Sequence, residues 1–150
     1  MRRIWWVTLS SLLLMAGVSC AGNTGGPLPV QVQLQTDKPV YRSGEMITVA
    51  LTALNPNPEP VQLLLSSSQI FDFWLSDGEQ IVWKWSSGRF FAQALSRLIL
   101  EPGLPATYAV KFNQQLSSGA LLQPGRYQLN GLLKTKDPIM AAPVMIQIVP

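Results

Sequence analysis

Apolar and polar side chains alternate along much of the chain after residue 30. In the first such run, Val30, Val32 and Leu34 alternate with three glutamines. A β-strand places successive side chains on opposite faces, so this period of two predicts a strand with one buried and one solvated face. The same alternation recurs at 47–52, 107–113, 126–133 and 144–148.

Turn-forming residues separate these predicted strands. Glycine and proline favour turns and interrupt strands, because glycine accepts positive φ and proline lacks a backbone donor. They stand between the alternating runs at Ser43-Gly44, Asn55-Pro56, Asp77-Gly78, Ser87-Gly88, Pro102-Gly103, Pro124-Gly125 and Asp137-Pro138. Many short strands with turn signals between them, and no long helical period, are typical of all-β proteins. We therefore predict an all-β, immunoglobulin-like antiparallel β-sandwich at residues 30–150.

The first nineteen residues have the pattern of a secretory signal peptide. Arg2 and Arg3 precede an apolar run that begins at Ile4 and is followed by small residues. The uncharged stretch is shorter than the roughly 20 residues that a membrane-spanning helix needs. We predict a signal peptide at 1–19, followed at 20–29 by a lipid-anchored tether rich in glycine and proline.

Cys20 follows the apolar run and is the one cysteine of the chain. A cysteine after a short apolar segment and small residues resembles the bacterial lipobox, in which the thiol is lipidated after cleavage. Acyl chains contribute about 0.8 kcal/mol per buried methylene group and so anchor a protein to a membrane. The lipobox pattern prefers leucine where this chain has Gly17. Cleavage after Ala21, which would discard the cysteine, is the alternative.

These features predict an exported lipoprotein, anchored in a membrane of the bacterial cell envelope through Cys20. If the cysteine is discarded with the leader, the alternative is a soluble secreted or periplasmic protein.

Composition excludes several kinds of chemistry. Outside the leader, nine basic residues balance eight acidic ones, which argues against a nucleic-acid-binding protein. The chain has no histidine, so a triad or metal site that requires histidine is excluded. The acidic residues lack the dense spacing of a calcium loop. We expect the protein to perform no catalysis and to bind no metal or cofactor. We expect its partner to be another protein.

An aromatic hairpin is predicted between residues 71 and 85. Phe73 and Leu75 share one face of its first strand, and Trp83 and Trp85 share one face of its second. A three-residue loop would pair Leu75 with Trp83 and Phe73 with Trp85. Because each aromatic side chain can bury about 150–250 Å², we expect this register, which turns all four side chains to the core.

The expected register also places Phe71 and Ile81 on the core side. A two-residue loop would instead place Trp74 opposite Trp83, and this register is the alternative.

Three side chains near the hairpin are candidates for partner contacts. Trp74 points outward in the expected register, and tryptophan is a common anchor of protein interfaces; a loop that covers it is the alternative. Arg89 and Phe90 lie in the following loop, 86–90, for which an ordinary turn is the alternative. The long loop 114–123, rich in glutamine, serine and leucine, is a second candidate.

The segment 122–127 resembles the tyrosine corner of immunoglobulin-like folds. In that motif a tyrosine hydroxyl donates a hydrogen bond to the backbone across a connection between strands. An ordinary turn followed by a core tyrosine is the alternative. In either case we expect Tyr127 to be structural.

Several short motifs are together similar to one known family. They are Ser67-Ser68-Gln69, Phe71-Asp72-Phe73, Asp77-Gly78, Val82-Trp83-Lys84-Trp85-Ser86, Leu100-Glu101-Pro102-Gly103 and Leu122-Gln123-Pro124-Gly125-Arg126-Tyr127. In this combination, over residues 30–133, the chain resembles the intracellular proteinase inhibitor (BsuPI) domain family. The resemblance implies an immunoglobulin-like sandwich that inhibits a serine protease, and it marks no inhibitory residues.

Two functions follow as hypotheses. The first, implied by the resemblance, is a proteinase inhibitor domain on an exported lipoprotein that binds a serine protease through a loop or an edge strand. The second, indicated by the leader and the tether, is a non-inhibitory lipoprotein of the cell envelope that binds or scaffolds other proteins.

Overall fold

The computed structural model describes residues 27–116 and 118–150, and within them the long regular elements are strands. The strands are β1 (Gln31–Thr36), β2 (Val40–Arg42), β3 (Ile47–Leu54), β4 (Val61–Leu65), β5 (Phe71–Asp77), β6 (Gln80–Lys84), β7 (Ser96–Leu100), β8 (Ala106–Phe112), β9 (Gly125–Leu133), β10 (Ile139–Met140) and β11 (Val144–Val149). Over these residues, no helix has the length and apolar character to cross a membrane. The predicted signal peptide, Cys20 and the first part of the predicted tether lie outside the described residues.

The strands are arranged in three sheets. One sheet has the order β1-β3-β8, a larger one has the order β2-β11-β9-β5-β6 with β10 beside β9, and β4 pairs with β7. The larger sheet mixes antiparallel pairs with one parallel pair, β2 with β11. The prediction of an all-β sandwich of antiparallel sheets is confirmed.

The core lies between the two main sheets, as the alternation predicts. In β3, Ile47, Val49 and Leu51 are at most 1% exposed, whereas Thr48 and Ala50 between them are only partly buried. The sheets approach closely at Gly131 on β9, where a Cβ atom would come within 3.0–3.3 Å of side chains from β1, β3 and β5. A larger residue there would push the two sheets apart.

The β5–β6 hairpin has the predicted pairing. Leu75 pairs with Trp83, and the backbone N–H of Trp85 donates to the carbonyl of Phe73 at 2.8 Å. Phe73 and Leu75 are at most 1% exposed, and the two tryptophans pack against the core with part of their surface exposed.

The turn that produces this register differs from the prediction. Asp77 pairs with Gln80, so the loop has two residues, and Gly78 at its first position has a φ of 57°, the sign that a type II′ turn needs there. Val82 is then an extra residue on β6 that forms a bulge. A bulge reverses the faces of the residues before it. Ile81 is therefore 53% exposed, and its predicted place in the core is wrong.

The predicted tyrosine corner is confirmed. The Tyr127 hydroxyl donates to the carbonyl of Gln123 at 2.8 Å, across the turn that leads into β9. Burial, together with the negative charge of Asp77, raises the pKa of the Tyr127 hydroxyl. Tyr127 thus remains a neutral donor and holds this connection closed.

Candidate protein-binding site

A ladder of aromatic rings lies beneath the loop that follows β6. Phe71 on β5 stacks on Tyr108 of β8 with ring centroids 5.2 Å apart, and it contacts Trp85 at 4.5 Å. Phe91 packs against Trp85 at 5.8 Å. Aromatic pairs contribute about 0.5–1.5 kcal/mol beyond the area that they bury. The ladder therefore joins the two main sheets and gives the loop a rigid base.

A buried carboxylate holds the first residues of this loop. Asp72 is 4% exposed and accepts hydrogen bonds from the hydroxyl of Ser86 at 2.7 Å and from its backbone N–H at 3.2 Å. The Lys84 ammonium lies 3.4 Å from Oδ2, the same oxygen that accepts from the Ser86 hydroxyl. Hydrogen bonds to a charged acceptor are stronger than neutral ones. The sequence shows only an acidic residue in a strand; it is the pairing of β5 with β6 that brings Ser86 to it.

The loop tip carries a fully exposed phenylalanine between two fixed points. On one side, Arg89 Nε donates to the carbonyl of Trp85 at 2.9 Å, and the guanidinium lies 4.6 Å from the Trp85 ring centre. On the other side, Ala92 and Ser68 exchange two hydrogen bonds of 2.9 Å. Between them, Phe90 is 101% exposed. Both Arg89 and Phe90 thus lie on an accessible surface.

The second candidate loop begins with a buried residue. Gln114 is fully buried, and its amide nitrogen donates to the carbonyls of Arg42 at 2.8 Å and Glu45 at 2.7 Å. Its amide oxygen accepts from the backbone N–H of Gly44 at 3.0 Å. Gln114 therefore connects the β2–β3 turn to the β8–β9 loop and is not available to a partner. Sequence reasoning missed this role, because nothing local distinguishes it from the exposed glutamine beside it.

The structure brings the two candidate loops to one groove of about 810 Å³. The lining includes Ser87, Gly88 and Arg89 from one loop and Gln115, Leu116 and Gly119 from the other. Phe90 stands beside this groove and is not part of its lining.

Trp74 lies apart from these loops. It lies between the core residues Phe73 and Leu75 on β5 and therefore points to the outward face of the larger sheet, where its side chain is half-buried. Its role as a partner contact stays a prediction.

A network at the start of β2 contains three titratable groups with shifted pKa values. Burial, followed by a hydrogen bond of 2.7 Å to Asp37, raises the pKa of Tyr41 to about 12. Burial also raises the pKa of Asp37, but hydrogen bonds from Tyr41 and from the Thr48 backbone outweigh this effect and hold that pKa below its usual value. Lys38 pairs with Glu45 and lowers the pKa of the Glu45 carboxyl. These contacts join neighbouring strands and are structural.

Potential metal ligands are dispersed in the part of the chain that the structure covers. No three histidine, cysteine, aspartate or glutamate side chains among residues 27–116 and 118–150 are grouped so that they could hold a metal ion.

Solved structures resemble this fold at low sequence identity. Alkylpurine DNA glycosylase AlkC of Pseudomonas fluorescens matches with a TM-score of 0.51 and 16% identity, over 81% of this chain and 30% of that protein. The sporulation control protein Spo0M of Bacillus subtilis gives 0.49 and 12% identity, over 81% of this chain and 49% of Spo0M. The β-glucosidase EmGH1 of Erythrobacter marinus matches with a TM-score of 0.47 and 13% identity, over 80% of this chain and 16% of that protein. The chain spans less than half of each protein, and the likeness to AlkC shows the fold alone.

Family comparison identifies the chain more specifically. No curated protein matches its sequence. The family model described as intracellular proteinase inhibitor, BsuPI, matches residues 34–138, which include all of β2 to β9. This match covers more than half of the chain and confirms the resemblance of its motifs. The chain therefore belongs to the intracellular proteinase inhibitor (BsuPI) family.

Proposed function

We propose that this protein inhibits a serine protease by binding it through the segment 86–92, here named the Phe90 loop, and that it performs no catalysis itself. Membership of a proteinase inhibitor family supports a protease as the partner. The observation that carries the choice of surface is the complete exposure of Phe90 on a loop whose two flanks are held.

The held flanks matter because binding costs conformational entropy. A loop that is ordered before binding loses less freedom when it enters a protease cleft, and so a larger part of the contact energy appears as affinity. In the Phe90 loop, Asp72 holds the first residues, Arg89 is held against Trp85, and Ala92 is joined to Ser68.

The side chain at the tip suggests which proteases fit. Phe90 is apolar and aromatic and would fill an apolar specificity pocket, as chymotrypsin-like and subtilisin-like proteases have. A trypsin-like pocket contains a carboxylate and would need the neighbouring Arg89 as the inserted side chain. The Arg89 guanidinium is already held over the Trp85 ring.

The test is inhibition of three proteases by the full chain in a nonionic detergent. Subtilisin, chymotrypsin and trypsin are each titrated with the full chain, and their residual activity is measured with a chromogenic peptide substrate. We expect subtilisin or chymotrypsin to lose activity and trypsin to keep it. Phe90→Ala should weaken inhibition at least 30-fold, since a central anchor contributes about 2 kcal/mol or more. Leu104→Ala, a matched change at a residue 63% exposed on another turn, should leave inhibition unchanged.

Two results would contradict the proposal. One is inhibition that Phe90→Ala and Leu104→Ala affect equally. The other is cleavage of the chain without a lasting loss of protease activity. If the chain inhibits none of the three proteases and instead co-purifies with a protein that is not a protease, the scaffolding hypothesis is favoured.

We also propose that the protein is an exported lipoprotein held at the bacterial cell envelope through Cys20. The support is the leader at 1–19 and the cysteine that follows it. Anchored in this way, the domain would meet proteases outside the cytoplasm.

A further inference from the structure

The groove between the two candidate loops lies along the edges of both main sheets. β6 ends the larger sheet and β8 ends the three-stranded sheet. Trp83 on β6 stacks on Phe112 of β8 with ring centroids 4.1 Å apart, and both residues line the groove. The groove therefore has an aromatic floor with an end strand on either side.

The walls of this groove are basic although the domain is nearly neutral. Lys84, Arg89 and Lys111 line it, and no acidic side chain does so among the described residues. Lys84 is partly balanced by the buried Asp72. Arg89 and Lys111 form no salt bridge with any described residue. Three of the nine basic residues outside the leader thus face one groove, and two of them lack a counter-charge.

The shape and the remaining groups favour an extended ligand. An end strand has backbone groups on its outer side that no neighbouring strand uses, and an extended peptide can pair with them. Asn113 and Gln115 add side-chain amides to the lining, and Met46 adds an apolar surface that is 47% exposed. Amides and cations suit carboxylates, and the aromatic floor suits apolar side chains between them.

We infer that this groove binds an extended acidic peptide segment of a partner protein, in which carboxylates alternate with apolar residues. The carboxylates meet Arg89 and Lys111, and the apolar side chains lie on Trp83, whose ring is supported by the buried Phe112. The groove is a binding site of its own, whether or not the Phe90 loop inhibits a protease.

The experiment measures binding of a defined peptide to the full chain in a nonionic detergent. The probe is a fluorescein-labelled peptide of eight residues in which glutamate and valine alternate. Its binding is measured by fluorescence anisotropy. We expect saturable binding that weakens as salt is raised, because exposed charges are screened. Lys111→Glu and Arg89→Glu should each weaken binding about five- to tenfold, as expected for one charge contact replaced by repulsion.

The matched control is Arg126→Glu. Arg126 is also exposed, but it lines a different depression with Met145 and Gln147, so its reversal changes the net charge equally without touching the groove. Binding should change less than twofold. Thermal unfolding of each variant checks that the fold is retained.

Three outcomes would overturn the inference. The first is absence of peptide binding at low salt, and the second is an equal loss of peptide affinity in Arg126→Glu and Lys111→Glu. The third is binding of a single-stranded oligonucleotide of the same charge as tightly as the peptide. The last result would mean a general attraction for polyanions. Protease inhibition is scored separately through Phe90→Ala, so failure of either proposal can be told from failure of the other.

Discussion

Replacement of Gln114 by methionine should destabilise the domain strongly, although the sequence places this residue in a polar loop. Methionine has a similar volume and removes all three side-chain hydrogen bonds, which join Gln114 to Arg42, Gly44 and Glu45. Neutral hydrogen bonds contribute about 1 kcal/mol each, so we expect a loss of about 3 kcal/mol.

The backbone at this position makes the comparison a clean one. Gln114 has a φ of 62°, a conformation that costs a non-glycine residue about 1–2 kcal/mol. Methionine has the same cost, so the variant isolates the hydrogen bonds. The network must already outweigh this cost in the native protein. Its loss should also loosen the loop 114–123, which borders the groove between β6 and β8.

The assay is urea unfolding followed by tryptophan fluorescence, with the slope of the transition compared between variants. A loss of about 3 kcal/mol corresponds to a fall of about 10 °C in Tm for a domain of this size. Gln115→Met, at the exposed neighbouring position, should change the free energy of unfolding by less than about 0.5 kcal/mol. If the free energy of unfolding of Gln114→Met lies within about 1 kcal/mol of that of the native protein, the assigned role of Gln114 is wrong.

Four further predictions concern other parts of the molecule. Tyr127→Phe removes one partly buried hydrogen bond and should cost about 1 kcal/mol in urea unfolding, and no change would contradict the role of the tyrosine corner. Asp72→Asn should cost about 2 kcal/mol and speed amide exchange at Ser86, whereas unchanged exchange would mean that the loop is held by other contacts. Because the pKa of Tyr41 is raised from 10 to about 12, its contribution to stability is complete below pH 10 and is lost as the pH rises towards 12; Tyr41→Phe should lessen this dependence in urea titrations at pH 9 to 12. Cys20→Ser should release the protein from membranes or block its maturation, and unchanged fractionation with normal maturation would refute lipid anchoring.

Seven of the eleven described strands and several turns could be predicted because their causes are local, whereas β2, β4, β7 and β10 were not predicted. Alternation along β3 follows from the two faces of a strand, and Gly78 accepts the positive φ that its hairpin turn requires. The Tyr127 corner is also local, since donor and acceptor are four residues apart. The error at Ile81 has a local origin too: the pattern did not reveal the bulge at Val82, which reverses the faces of the strand.

The candidate site could be predicted only in part. The loops 86–90 and 114–123 were identified one at a time by their composition, and the sequence contains no sign that they border the same groove. Neither the burial of Gln114 nor the contact of Asp72 with Ser86 could be predicted, because each depends on partners brought close by strand pairing.

What the sequence by itself determined is therefore seven of the eleven described strands, the positions of several turns and the motifs of the family, all of which depend on neighbours along the chain. The tertiary structure decided which strands end each sheet, which polar side chains became buried and which cations face one groove. The physical reason is that packing between distant segments selects one arrangement among many that the same local pattern allows.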